Sequence, residues 1–119
     1  MKVFARLSLT ALMIFLVSQF TFATWSIIVI DPKTKEIGIA GASCTRSVYG
    51  IGSIVPGKGA IVVQAMSNGM ARLDGFKMIM KEVSPAEILE KLKHPKYNPE
   101  EQQYAILFIS SFHNILCGI

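Results

Sequence analysis

The six residues from Trp25 to Ile30 constrain this chain more than any other feature. They form an almost unbroken β-branched run that starts directly after a segment built like an export signal. Such a run reads as a strand covered on both faces, or nearly so. Chain ends ordinarily fray. A strand that opens the mature chain must therefore be tied into a sheet from its first residue.

The preceding segment has the three parts of a secretory signal in order. Lys2 and Arg6 make a basic start, Leu7 to Phe20 is apolar apart from Ser8, Thr10, Ser18 and Gln19, and Thr21-Phe22-Ala23 ends on small residues at positions −3 and −1. An uncleaved anchor needs about 20 mostly apolar residues. The stretch from Leu7 to Ala23 falls short of that and carries the polar pair Ser18-Gln19, so residues 1–23 are read as a cleaved signal peptide and the protein as exported, periplasmic or extracellular. Thr24 then becomes the first residue of the mature chain.

Removing residues 1–23 leaves 96 residues and, with Lys2 and Arg6 gone, lowers the net charge from +4 to +2. That length supports one domain, residues 24–119, with a modest core. No basic run exceeds Lys33-Thr34-Lys35, so a nucleic-acid partner is not expected. The high apolar content comes in part from the signal and does not argue for a membrane protein after cleavage. Cys44 and Cys117 can pair in an oxidising compartment or remain two buried free thiols. Neither has the spacing of a metal or redox motif, and His94 and His113 are too far apart in sequence to suggest a metal site. No cofactor or metal is expected.

Turn chemistry and periodicity place the elements. Asp31 to Lys35 is a turn between the first strand and a second at Glu36 to Ser43. After the glycine-rich Tyr49 to Ser53, Ile54-Val55 and Ala60 to Ala65 flank the turn Pro56-Gly57-Lys58-Gly59, a second hairpin. From Asn68 the period lengthens: Met70, Leu73, Phe76, Met80 and Val83 share one face of an amphipathic helix. Ser84-Pro85-Ala86-Glu87 opens another helix with a capping box, and His94-Pro95 closes it. Pro95 to Gln102 reads as loop, and Tyr104 to Ile109 as a further buried strand. The fold class is α+β, with one antiparallel sheet and two helices on one face.

These motifs, at this spacing, resemble a known family. Thr24 to Pro32, Glu36 to Ala40, Gly50 to Pro56, Gln64 to Asn68, Gly75-Phe76, Ser84 to Leu89 and Gln103 are similar to the N-terminal half of the "domain of unknown function 1028" family. The likeness covers nearly all of residues 24–111. It implies membership of the N-terminal nucleophile (Ntn) hydrolase superfamily, relatives of the proteasome β-subunit and of amidases and acylases, whose fold is a four-layer αββα sandwich. Ninety-six residues hold one sheet and two helices but hardly four layers, so the sandwich is expected to be incomplete and truncated at the C-terminus. An uncovered sheet face would favour a homo-oligomer.

The chemistry of an N-terminal threonine agrees with that resemblance. A free α-amine has an ordinary pKa of roughly 7.7–8.0, which suits it to take the proton of its own hydroxyl. Thr24 would thus supply both nucleophile and base for hydrolysis of an amide in a small molecule or peptide. Ser43 lies where the resemblance places a polar or charged group beside the nucleophile, and Cys44 stands where many relatives carry a basic residue. Gln64 and Asn68 bracket the exit of the fourth strand, and their amides can donate to an oxyanion or to substrate. Asn68 also reads as a helix N-cap, and Gln64 as a hydrogen-bonded core amide. The function expected is an exported amide hydrolase of the Ntn type. The alternative is a non-catalytic remnant or binding module.

Overall fold

The computed structural model describes residues 24–109 and the backbone of 115–118; residues 1–23, expected to be a signal peptide, His113 and the Cys117 side chain lie outside the described residues. Strand β1 spans Trp25–Ile30 and β2 Ile37–Ala42, β3 Gly52–Val55 and β4 Gly59–Ala65. Helix α1 spans Gly69–Met80 and α2 Pro85–Leu92. Two single 3-10 turns, Pro95–Tyr97 and Pro99–Glu101, lead into β5, Gln102–Ile109, and β6 is Ile115–Gly118. The segment expected as loop is therefore mostly 3-10 turn, built on two prolines, and β6 is a strand beyond those expected.

The expected single sheet is corrected to two among the described residues. One is the two-stranded ribbon β1-β2, and the other is the antiparallel sheet β3-β4-β5-β6. The hydrophobic pattern explains the split. In β1 the residues Ser26, Ile28 and Ile30 turn inward, and the register Ile28↔Ile39 and Ile30↔Ile37 sets two more isoleucines beside them. The ribbon lays this side over β4, whose residues from Gly59 to Val63 are all buried. The layers approach closely. A Cβ on Gly52 would lie 2.8 Å from Ile39 Cδ1, so any larger residue there would oblige Ile39 to shift.

The other side of the ribbon corrects a second expectation. Trp25, Ile27 and Val29 are 58, 51 and 57% exposed, so β1 is covered on one face only. Its partners across the ribbon on that side are Ala42, Ala40 and Gly38. The result is a shallow apolar face with three large side chains along one strand and small ones along the other.

Both helices pack on the far side of the four-stranded sheet. Ile61, Val63, Ile106 and Phe108 from the sheet meet Ala71, Ile79, Ile88 and Leu92 from the helices. Each fully buried isoleucine or leucine here contributes roughly 1.5–3 kcal/mol. The buried face of α1 differs from the expected one: it is Ala71, Gly75 and Ile79, while Met70, Leu73 and Met80 face solvent. Small residues win because they let the helix sit low on Ile61, whose Cδ1 fills the space a Cβ on Gly75 would take. Ser84 caps α2 as expected, accepting from the Glu87 N–H at 3.3 Å. The Glu87 carboxylate does not complete a capping box; it pairs with Lys91 at 2.9 Å.

The turn before β5 is stapled to α1. Tyr97, 4% exposed, donates its hydroxyl to Asp74 Oδ2 at 2.7 Å. That bond is the main reason the Asp74 carboxyl is held below the usual carboxylate range, with Lys96 and Lys77 adding to it. Burial pushes the Tyr97 hydroxyl in the opposite direction, upward.

Candidate functional site

The pairing Trp25↔Ala42 brings the next residues outward, Thr24 and Ser43, opposite each other at one end of the ribbon. Their hydroxyls meet: Thr24 Oγ1 lies 2.9 Å from Ser43 Oγ. Both are partly buried, so the contact is sheltered from bulk water. Either oxygen can be the donor, and the Ser43 oxygen also accepts from the Thr45 N–H at 3.4 Å.

Gln64 holds this end of the ribbon to the sheet beneath. It lies on the ribbon-facing side of β4, where its Oε1 accepts from Ser26 Oγ at 2.7 Å. Its Nε2 donates to Gln103 Oε1 at 3.0 Å and, more weakly, to the Thr24 carbonyl at 3.4 Å. The register Gln64↔Gln103 is what sets those two amides side by side. Three strands, β1, β4 and β5, are thus joined by side chains directly below Thr24.

The chain leaves β4 through a strained turn. Ala65 has φ +71° and Ser67 φ +47°, both left-handed without glycine. That geometry costs roughly 1–2 kcal/mol per residue. It lifts Met66 outward, with its N–H donating to the Glu101 carbonyl at 3.2 Å. Asn68 closes the turn. Its Oδ1 accepts from the N–H groups of Met70 and Ala71, both at 3.0 Å, and its Nδ2 donates to the Tyr97 carbonyl at 2.9 Å.

Thr24, Ser43, Cys44, Thr45, Ala65, Met66 and Gln103 line a cleft of ≈ 490 Å³. A second cleft of ≈ 290 Å³ adjoins it through Thr24, Ser43, Thr45 and Ala65 and adds Ser47, Val48, Tyr49, Ile51 and Ser67. Among the described residues no Asp, Glu, Lys, Arg or His lines either cleft. The Thr24 nitrogen, an amide in the full chain, becomes a basic group there only when the bond to Ala23 is cut. Cys44 is exposed in the cleft wall, so the buried-thiol reading does not hold for it. Among the described residues no three His, Cys, Asp or Glu side chains converge to hold a metal ion, and no helix is long and apolar enough to cross a membrane.

The residues singled out from the sequence thus separate. Thr24 and Ser43 share the cleft, and Gln64 supports Thr24 from below. Asn68 stands outside the lining, its amide oxygen taken by the N-cap and its Nδ2 turned to the Tyr97 carbonyl. Sequence reasoning gave no role to Gln103 or Thr45. Gln103 was visible only as part of a family-like spacing, and its place beside Gln64 depends on a register that no local pattern encodes.

A family model described as "Family of unknown function (DUF1028)" matches residues 24–115, and the chain belongs to that family. The match begins on Thr24 itself and ends four residues past the end of the likeness drawn from the motifs. No curated protein and no solved structure matches the chain.

Proposed function

We propose that this member of the DUF1028 family is an exported amide hydrolase of the N-terminal nucleophile type, with Thr24 exposed by signal cleavage. The observation that carries the reading is the Thr24–Ser43 hydroxyl pair at 2.9 Å on the wall of an open cleft, at the first residue of the family match. Once Thr24 is terminal, its α-amine takes the Oγ1 proton, directly or through a water, and Oγ1 adds to the substrate carbonyl. The amine leaving group departs with that proton, and an ester of Thr24 remains. Water, deprotonated by the same α-amine, then hydrolyses the ester and returns the proton to Oγ1.

Ser43 fixes the direction of Oγ1 during attack. The oxyanion needs a donor; both Gln64 amide hydrogens are engaged, and Asn68, which donates one of its two to Tyr97, does not line the cleft. Gln103 is the better placed amide: its Oε1 is bound to Gln64, which leaves its NH2 as the donor available to the cleft it lines. One observation favours the alternative of a non-catalytic binding module. Among the described residues no carboxylate, lysine, arginine or histidine lines the cleft, so while Thr24 is still attached to Ala23 none of them stands there as a base for Oγ1.

Two measurements separate the readings. Mass spectrometry of the exported protein is expected to find Thr24 as its first residue, and an electrophilic β-lactone is expected to add once, at Thr24, and not in Thr24→Ala. An intact residue 1, or extra residues ahead of Thr24, ends the hydrolase reading, because an acylated nitrogen is not a base.

A further inference from the structure

The two clefts that Thr24 lines do not end at Tyr49. A third, of ≈ 450 Å³, continues from the same Val48, Tyr49 and Ile51 and reaches Ile39 and Ile54. Its character differs from the Thr24 end. Ser53 is the one side chain of its lining with an aliphatic hydroxyl, and the rest is aliphatic, aromatic or glycine. Among the described residues no charged side chain is part of the lining; the Arg72 guanidinium lies beside the groove at Gly50, where a Cβ would come within 3.0 Å of its Nη1.

The wall is built to present that surface. Ile51 and Ile39 lie against Gly41 and Gly52 between ribbon and sheet, so the floor of the groove is made by the contact of the two layers. Tyr49 is fully exposed at the rim, its ring packed on nothing. Gly50 follows at φ +99°, a conformation that L side chains rarely adopt, in the turn that sets Tyr49 at the rim. An aromatic ring so placed gains the most buried area when an apolar ligand fills the space beside it. Ile54, 37% exposed, gains on the opposite side.

We infer that the Val48–Tyr49–Ile51 groove, with Ile39 and Ile54 at its far end, is the subsite for an uncharged apolar acyl group of the amide whose carbonyl reaches Thr24. Val48, Tyr49 and Ile51 line both this groove and a cleft that Thr24 lines, so the two adjoin, and the apolar lining disfavours a carboxylate on that acyl chain. The inference rests on the hydrolase reading for the position of the scissile bond. Its test does not need turnover.

The experiment measures equilibrium binding of p-nitroanilides to the exported, processed Thr24→Ala protein by titration calorimetry. The acyl groups are acetyl, butanoyl and hexanoyl, with succinyl as the charged counterpart of butanoyl. Each methylene that enters the groove is expected to raise affinity about fourfold, and succinyl to bind at least about tenfold more weakly than butanoyl. Tyr49→Asp is expected to flatten the series; because Tyr49 is fully exposed, circular dichroism should be unchanged. A flat series in the Thr24→Ala protein, or a preference for succinyl, overturns the subsite. β-Lactone labelling of the unmutated protein is read in parallel. Labelling with a flat series removes the subsite and keeps the hydrolase. A steep series without labelling keeps the groove as a binding site and removes the hydrolase.

Discussion

The hydrogen bond from Ser26 to Gln64 joins the ribbon to the sheet below it, and a double-mutant cycle measures what that joint is worth. At 2.7 Å between two half-buried neutral groups, its net contribution is about 1 kcal/mol. Ser26→Ala removes that bond and leaves Gln64 Oε1 partly hydrated, a loss of about 1 kcal/mol. Gln64→Leu removes the same bond together with the 3.0 Å bond to Gln103 and the long 3.4 Å contact to the Thr24 carbonyl, for a loss of about 2 kcal/mol. The double variant should lose about 2 kcal/mol and not 3, because the shared bond is lost only once, which gives a coupling energy of about 1 kcal/mol. Urea unfolding followed by circular dichroism reads these differences. In a domain of this size each kcal/mol also moves Tm by roughly 4–8 °C. Sites that do not communicate add to within about 0.3–0.5 kcal/mol. A coupling below about 0.3 kcal/mol would refute the joint, and with it the argument that Gln64 positions Thr24 through strand β1.

Three further outcomes follow from the geometry. Ala65→Gly relieves a left-handed backbone at roughly 1–2 kcal/mol while adding about 0.5–1 kcal/mol of unfolded-state freedom, so a net gain of about 0.5 kcal/mol is expected in urea unfolding, and a loss would show that the Ala65 methyl packs usefully. Ile30→Lys, at a residue 7% exposed, should leave the chain unfolded by circular dichroism, whereas Val29→Lys, 57% exposed on the outer face, should change stability by less than about 0.5 kcal/mol and raise solubility. Asp74→Asn should destabilise by under about 1 kcal/mol near neutrality. Because the folded Asp74 carboxyl is held low, its contribution is present above the usual carboxylate pKa and fades as pH falls from about 4 through the folded value, so the two proteins should converge in acid.

Local physics made most of the elements legible. β1, α1 and α2 follow from β-branched content, an Asn cap and a Ser-Pro cap, and each of those side chains makes the bonds its position implies. What local physics misassigned were faces. Trp25, Ile27 and Val29 look as buried as Ile28 when only the run is read, because a strand's apolar content does not say how many layers will cover it. On α1, two apolar stripes compete, and the choice of Ala71-Gly75-Ile79 depends on how closely a helix can approach Ile61, a tertiary quantity. The site divides along the same line. Thr24 and Ser43 could be read from chain order and hairpin pairing, while Gln103 joins them only through the register of β4 with β5.

The ribbon that carries Thr24 also has consequences for timing. Among the described residues, strands β1 and β2 pair only with each other, and one of their two faces is open, so they hold fewer protected amides and less buried surface than β4 in the interior of the neighbouring sheet. Such a unit opens well below the free energy of global unfolding. Amide hydrogen exchange should therefore be fastest in Trp25–Ile30 and Ile37–Ala42 and slowest in Gly59–Ala65. If the proposed cleavage ahead of Thr24 takes place, the peptidase needs its substrate extended, and a ribbon that opens below global unfolding would leave the bond to Ala23 open to it. Cutting that bond would then set the new amine at the edge of the cleft that Thr24 lines, and opening of the ribbon would govern the proposed processing as well as amide exchange.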